Sequence, residues 1–449
     1  MDNSLNKKIT FISLLKYTFP TILMMVFFSL YSIIDGMFIS RFVSANALSA
    51  VNIVYPVISL LIGISVMFAT GGNAIVGKLM GEKQEQKARE TFSLIILFTT
   101  VLGIIISIIS LIFLDKIIIA LGSTEILMDY CREYLLIFVM FSPFMILKLM
   151  FDYFFVTAGK ATFGLITSIF GGVTNIILDY VFIVTFNMGV KGAAIATMIG
   201  YSIPAIIGII YFSNKKNILH FVKPSFDFKI ILSSCSNGSS EMVTQLSTAV
   251  TTFLYNILML KFLGEEGVAA ITIILYVQFL LTSAYLGFTS GVSPRISYNY
   301  GAKDKEQLNK IIKYSYIFIG IFSIITFIIA KISAVPVIAL FSGSGSSLYE
   351  VTLAGFDIFS ISFLICGVNI FTSGMFTAFS NGKISALLSL LRTFIFFILG
   401  VIILPPIWGI NGIWLIVPFS EILSLSFCIL YVFKYRNTYG YSKRSAILS

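Results

Sequence analysis

The sequence predicts an all-α polytopic membrane protein with about twelve transmembrane helices, arranged as two repeated halves of six. Three observations support this fold class: the composition, the length of the apolar runs and an internal repeat. Of 449 residues, 58% are hydrophobic and 11% are charged, whereas about a quarter of the residues of a soluble protein are charged. The composition therefore excludes a soluble enzyme. It also makes membrane topology a better explanation of the net charge of +10 than a nucleic-acid-binding face.

The apolar runs have the length of membrane spans. A helix needs about 20 predominantly apolar residues to cross a bilayer. Twelve runs meet this requirement, at approximately residues 14–40, 51–76, 91–114, 127–156, 163–186, 192–212, 239–262, 268–293, 312–338, 351–379, 384–405 and 412–433. The first run lacks the small-residue cleavage site of a signal peptide, so we expect it to be retained as a span.

The basic residues between the runs predict the orientation. With the N-terminus inside, 22 Lys and Arg residues fall on the inner side and 6 on the outer side, while Lys148 and Arg392 fall within spans. Because loops rich in Lys and Arg stay in the cytoplasm, we predict a multi-pass plasma-membrane protein with both termini cytoplasmic.

An internal repeat relates the two halves of the chain. Shifting the sequence by 220 residues places ALSAVNIVYPV, from Ala47, over GVAAITIILYV, from Gly267, and GGNAIVGKLMGEK over GVSPRISYNYGAK. The basic interruption at 213–229 lies between the halves, so we predict an N-terminal lobe at 1–222 and a C-terminal lobe at 223–449. Duplicated membrane halves are typical of secondary transporters.

Polar residues inside the spans are candidates for the mechanism, because charges in a bilayer are costly. At 1.5 Å per residue, Asp35, Asp179 and Thr197 all lie roughly 10 Å below the outer surface. Asn175 precedes Asp179 by four residues, so both side chains share one helix face. Such oxygen ligands suit a hard cation such as Na⁺, and two close acids can instead share a proton.

The repeat provides an internal control for this cluster. The register places Asp35 over Tyr255 and Asn175 over Ile398. It places Asp179 over Ile402 and Thr197 over Val417. A purely structural role would be expected in both halves, so the loss of all four favours one specialised cation site. Hydrogen bonds that only hold the helices together remain the alternative.

Other polar positions have structural and functional interpretations. Lys148 and Asp152 are four residues apart and can pair, either lining a cavity or with the lysine reaching towards the membrane surface. Arg392 and Glu421 lie near mid-membrane, which predicts a structural ion pair. Pro20 removes a backbone hydrogen bond from the first span and predicts either a static kink or a functional bend.

Glu241 follows Ser239 and Ser240 at the start of the seventh predicted span. Acidic and hydroxyl side chains are common at the first turn of a helix, where they stabilise free backbone N–H groups. We therefore expect Glu241 to be a capping residue with a structural role.

Several strings resemble one transporter family. The segments IIDGMFISRF, GKLMGEKQEQKA with its copy SYNYGAKDKEQL, TAGKA, and NIILDYVF followed by MGVKGAAIAT are similar to those of the multidrug and toxic compound extrusion (MATE) family. The resemblance covers nearly the whole chain and implies a cation-coupled exporter whose two lobes surround a central cavity. It also implies the same four coupling residues, and it associates a proline at the position of Pro20 with bending of the first helix upon protonation.

We therefore predict a secondary active multidrug efflux antiporter, not an enzyme. It would export amphipathic, mostly cationic, organic compounds in exchange for Na⁺ and/or H⁺. We expect no cofactor, no metal other than Na⁺ at the coupling site, no nucleic-acid partner, and a monomer that functions in the lipid bilayer.

Three alternatives remain. A flippase for lipids or lipid-linked sugars would need a cationic cavity for phosphate groups, whereas Lys148 and Arg392 each have a candidate acidic partner. An intramembrane aspartyl protease would resemble YD and GxGD sequences, but the two acids here lie in IID and ILD. A passive channel would leave the repeat and the one-sided acids unexplained.

Overall fold

The computed structural model describes residue 5, residues 8–342 and residues 345–441. Its membrane helices are α1 Phe11–Phe38, α2 Ala45–Gly81, α3 Glu85–Ile112, α4 Glu125–Thr157, α5 Ala161–Asp179, α6 Gly189–Ser213, α7 228–263, α8 265–301, α9 Lys305–Ser342, α10 Ser347–Ala378, α11 382–408 and α12 410–435. A short helix, Leu114–Ala120, joins α3 to α4. The predicted all-α fold class is confirmed.

Two pairs of successive membrane helices, α7 with α8 and α11 with α12, are joined without a loop. The described residues form ten hydrophobic helical segments long enough to cross a membrane, and the longest is Phe228–Gly301, of 74 residues. A straight helix of that length would extend about 110 Å, far beyond a bilayer. The chain instead leaves helical geometry at Gly264, with φ 65° and ψ −151°, and similarly at Gly409, with φ 57°. Glycine adopts positive φ without steric cost, so each segment supplies two crossings.

The prediction that Glu241 caps a helix is wrong. Helix α7 begins at Phe228, where Asp227 accepts a hydrogen bond from the backbone N–H of Lys229 at 2.9 Å. Glu241 lies thirteen residues further along the helix. The polar run SSCSNGSS before it is helical, and its small residues allow a close approach to α2: a Cβ atom on Gly238 would overlap the carbonyl oxygen of Met67.

Each half of the chain has its own hydrophobic core. In the N-terminal half, Phe92, Phe154 and Phe212 are fully buried, and the ring of Phe92 contacts the rings of the other two. In the C-terminal half, buried residues that include Phe363 and Trp414 form a separate cluster. The two halves of the chain contact each other along α1, α2, α7 and α8.

The halves are in close contact at one end of the bundle. We call this the basic end, because Lys83, Lys160, Lys215 and Lys303 lie in its connections. Here the last turns of α2 contact α7 and α8 backbone to backbone; at Gly81, for example, a Cβ atom would overlap the carbonyl oxygen of Tyr298. Packing this tight leaves no room for a solute between the halves at this end.

The other end is more open. A cavity of about 720 Å³ lies between the parts of α7 and α8 furthest from the basic end. It is lined mainly by apolar side chains, with Asn256, Glu265, Thr272 and Tyr276 as polar ones. A volume of this size, with few polar groups, suits a small amphipathic molecule.

A polar cluster in the N-terminal half

Local helix geometry positions the two acids. Asp35 lies one turn before α1 changes to a π-helical turn at Ile39–Val43, and Asp179 is the residue directly before the π-helical turn Tyr180–Thr185 that extends α5. A π-helical turn inserts an extra residue and often occurs at functional sites. Both carboxylates therefore occupy positions where the helices depart from regular geometry.

The structure brings the four predicted site residues together. The Oγ1 atom of Thr197, on α6, lies 3.4 Å from Oδ1 of Asp35 and accepts a hydrogen bond from Nδ2 of Asn175 at 3.4 Å. The carboxyl groups of Asp35 and Asp179 are close enough to interact electrostatically. Helices α1, α5 and α6 thus direct two carboxylates, an amide and a hydroxyl to one point.

Several acceptors in this cluster have no donor. Both carboxylate oxygens of Asp179 and Oδ1 of Asn175 are buried and accept no hydrogen bond from any residue that the structure describes. Asp179 is 0% exposed. Buried acceptors without donors are costly, and two adjacent carboxylates repel unless a cation or a proton lies between them. The arrangement is therefore suited to binding one of these.

Three buried tyrosines adjoin the acids and were missed from the sequence. Tyr31, Tyr134 and Tyr201 all interact electrostatically with Asp35, and Tyr31 and Tyr201 interact with each other. Two of them were detectable, because Tyr31 precedes Asp35 by four residues and Tyr201 follows Thr197 by four. Spacing of i, i+4 places side chains on one helix face.

Lys148 and Asp152 form a buried ion pair on α4, with Nζ and Oδ2 2.7 Å apart. The hydroxyl of Ser168 donates to Oδ1 of Asp152 at 2.9 Å. Nζ of Lys148 lies 5.2 Å from the ring centroid of Phe28 and 5.6 Å from that of Tyr201. The lysine therefore points into the bundle and not towards a membrane surface, and Tyr201 connects this pair to the acid cluster.

Arg392 and Glu421 also form an ion pair, in the C-terminal half. Nε of Arg392 lies 2.8 Å from Oε1 of Glu421, and Nδ2 of Asn369 donates to Oε2 at 2.6 Å. Arg392 belongs to a π-helical turn of α11, Leu391–Ile395. The amide of Asn369, from α10, thus completes a charge pair that joins α11 to α12.

Pro20 lies in α1 where this helix contacts the other half. Helix α1 stays helical through Pro20. The residues around it meet glycines of α8: a Cβ atom on Gly287 would lie 2.6 Å from Cα of Ile22, and one on Gly291 would lie 3.2 Å from Cα of Thr18. Any bend at Pro20 would therefore change a contact between the two halves.

A buried arginine lies at the basic end of the bundle. Arg295 follows the predicted span 268–293, in the part of α8 that continues towards the basic end, and is only 3% exposed. Its guanidinium carbon lies 4.1 Å from the ring centroid of Tyr17, on α1. Arg295 therefore contacts the other half at the basic end.

Comparison with known proteins agrees with this architecture. The chain is 25% identical over 447 residues to the multidrug export protein MepA of Staphylococcus haemolyticus, covering 97% of this chain and 96% of that protein. The identity to the MepA protein of Staphylococcus saprophyticus is 24% over 412 residues, covering 91% and 89%.

A solved structure described as the outward-facing conformation of a multidrug resistance MATE family transporter of the MOP superfamily has the same fold. It superposes with a TM-score of 0.92 at 19% identity, covering 98% of this chain and 99% of the other. The family model MatE matches residues 20–181 and 242–402, one match in each half. This chain is therefore a member of the MatE family of membrane transporters.

Proposed function

We propose that the protein is a secondary antiporter that exports amphipathic, mainly cationic, organic compounds in exchange for Na⁺ and/or H⁺. The main support is the convergence of Asp35, Asn175, Asp179 and Thr197 with unsatisfied buried oxygens. Multidrug substrates are proposed by analogy with the relatives named multidrug export proteins.

The charge of the site supports ion coupling. With both carboxylates ionised and no cation present, Asp35 and Asp179 repel each other, so the helices that carry them are held apart. A bound Na⁺ or a shared proton removes this repulsion. Because an ion shifts a conformational equilibrium only through its different affinity for the two states, we propose that the spacing of α1 and α5 differs between them.

Helix α1 can transmit this change to the C-terminal half. It carries Asp35 and also contacts α8, where the hydroxyl of Ser29 donates to that of Ser283 at 3.2 Å. Pro20 lies further along the same contact. A shift of α1 caused by ion binding would therefore act directly on the interface that closes one end of the bundle.

The distribution of basic residues supports an orientation with the basic end in the cytoplasm of the cell that makes the protein. In this orientation the structure is closed towards the cytoplasm, and the cavity between α7 and α8 faces outwards. The protein would then be in the state that releases substrate and accepts the coupling ion.

Transport in membrane vesicles tests the proposal. Everted vesicles from a pump-deficient bacterium that expresses the protein should take up ethidium when a Na⁺ or H⁺ gradient is imposed. Collapse of both gradients should abolish the uptake. Uptake indifferent to both gradients would refute coupling, and no uptake beyond that of vesicles without the protein would refute export of this class of compound.

A further inference from the structure

Glu241 lies midway across the membrane. The face of α7 that carries Gly238, Met242 and Gln245 packs against α2: a Cβ atom on Gly63 would lie 2.8 Å from Sδ of Met242 and 3.5 Å from Cβ of Gln245. Gly63 is the central residue of α2, Ala45–Gly81. Since Glu241 is three residues after Gly238 and four before Gln245, it shares this face.

The side chain is positioned between the two halves of the protein. Glu241 interacts electrostatically with Tyr153, on α4 of the N-terminal half, and with Arg392, on α11 of the C-terminal half. We call the region bounded by α2, α4, α7 and α11 the seam. A carboxylate in the seam lies where a solute would pass if the halves alternate in opening to either side.

The charge of Glu241 has no direct partner. The side chain is only partly buried, and it makes no hydrogen bond or ion pair with a residue that the structure describes. The direct ion pair of Arg392 is with Glu421. These three groups, two carboxylates and one guanidinium, therefore carry a net charge of −1 when ionised.

An uncompensated charge at mid-membrane is unfavourable. The other buried ion pair of the bundle, Lys148 with Asp152, is neutral by itself. Glu241 thus requires either a proton or a cation from outside the protein. Na⁺ is a poor candidate, because it prefers several oxygen ligands and Glu241 offers a single carboxylate.

We propose that Glu241 binds the positively charged group of the organic substrate in the seam. This inference rests on the proposed export function and assigns recognition of the positive charge of the substrate to one residue. A bulky monovalent organic cation has a dispersed charge that needs one carboxylate and not a full coordination shell, and an aromatic ring such as that of the nearby Tyr153 attracts such cations. An anionic substrate would meet a net negative charge.

Binding of a permanently charged probe tests the proposal, since tetraphenylphosphonium cannot lose its charge. Its Kd is measured by equilibrium binding to the purified protein in nanodiscs. We expect E241Q to raise the Kd about tenfold, which corresponds to about 1.4 kcal/mol. E241D, which keeps the charge but shortens the side chain, should raise it less. E350Q, which neutralises an exposed acid in α10, is the matched control and should leave it unchanged.

A second measurement separates substrate recognition from ion coupling. Proton release on addition of Na⁺, which reports the Asp35–Asp179 site, should be the same in E241Q as in the wild type. An unchanged Kd in E241Q would show that Glu241 is protonated or distant from the probe and would overturn the proposal. Loss of ion binding in E241Q would also overturn it, by making Glu241 a coupling residue.

The two proposals can fail separately. If the wild type binds neither tetraphenylphosphonium nor ethidium, the proposed export of organic cations fails. If the wild type binds them and E241Q binds them equally well, only the role of Glu241 fails. If E241Q does not yield folded protein, the Kd measured for E241D decides, because a carboxylate that contacts the probe cannot be shortened without weakening binding.

Discussion

Positions that the repeat relates carry different side chains in the two halves of the molecule. In the N-terminal half, Thr197 of α6 contacts Asp35 of α1. The repeat pairs these residues with Val417 of α12 and Tyr255 of α7, and the hydroxyl of Tyr255 lies beside the backbone of Val417. The contact between helices is thus retained while the acid is replaced by a fully buried tyrosine. Helix packing alone therefore does not require a carboxylate here.

The match between the two halves does not extend to α5 and α11, which carry Asp179 and its partner in the repeat. Asp179 is 0% exposed, but Ile402, its partner in the repeat, is 62% exposed. The π-helical turns explain the difference: in α5 the turn follows Asp179, whereas in α11 it occurs earlier, at Leu391–Ile395. Each π-helical turn inserts a residue and rotates the face that follows it. The C-terminal half therefore retains the architecture of the site but not its geometry.

The largest expected effect is on ion-driven transport, and it distinguishes the acidic site from the matched position in the C-terminal half. Asp35→Asn and Asp179→Asn should each abolish ion-driven transport, because the site loses the negative charge that attracts the cation. Tyr255→Phe, at the position matched to Asp35, should transport like the wild type. Vesicle uptake of ethidium measures all three. Full activity of either asparagine variant would contradict a coupling site in the N-terminal half.

The ion pair of the C-terminal half should contribute to stability. Arg392→Gln or Glu421→Gln alone leaves a buried charge unpaired and should cost about 3–5 kcal/mol. The double variant should recover part of that loss, because neither charge then remains. Thermal unfolding in detergent measures the three variants. Additive losses would show that the two residues do not interact.

The buried pair of the N-terminal half should behave differently because it adjoins the ion site. Lys148→Met with Asp152→Asn removes both charges and should leave the protein folded. Since Lys148 lies over the ring of Tyr201, we expect this double variant to change the affinity for the coupling ion a few-fold. The double variant of Arg392 and Glu421 is the control and should leave ion affinity unchanged.

The smallest effect concerns a neutral ligand of the cluster. Thr197→Ala removes one hydroxyl, and a hydrogen bond of this kind contributes about 1 kcal/mol. We expect ion affinity to fall severalfold while transport continues at saturating ion concentration. Val417→Ala, at the matched position in the C-terminal half, should leave ion affinity unaltered. A complete loss of transport in Thr197→Ala would indicate a larger role for this residue.

Sequence reasoning identified the acids because a charge within an apolar run is conspicuous. Asp35 and Asp179 stand alone among apolar neighbours, and their depths agree when counted along the helices. Glu241 was misinterpreted because it follows the polar run SSCSNGSS, which resembles the start of a helix. Only the close packing of Gly238 against α2 shows that this run is inside the bundle.

The tyrosines near the acids were missed for a different reason. The chain contains 21 tyrosines, so residue type alone does not single out Tyr31 or Tyr201. Their contacts depend on how α1 and α6 are rotated towards each other, which is a property of tertiary packing. The reversals at Gly264 and Gly409 were predicted only as span boundaries, because a glycine in an apolar run does not reveal its φ angle.

Ion binding to the purified protein tests the central claim most directly. Binding of ²²Na⁺, together with proton release into weakly buffered solution, is measured for the wild type, Asp35→Asn, Asp179→Asn and Tyr255→Phe. A single site shared by Asp35 and Asp179 predicts that both signals are lost in the two asparagine variants and retained in Tyr255→Phe. Unchanged ion binding and proton release in both asparagine variants would place the coupling site elsewhere in the protein.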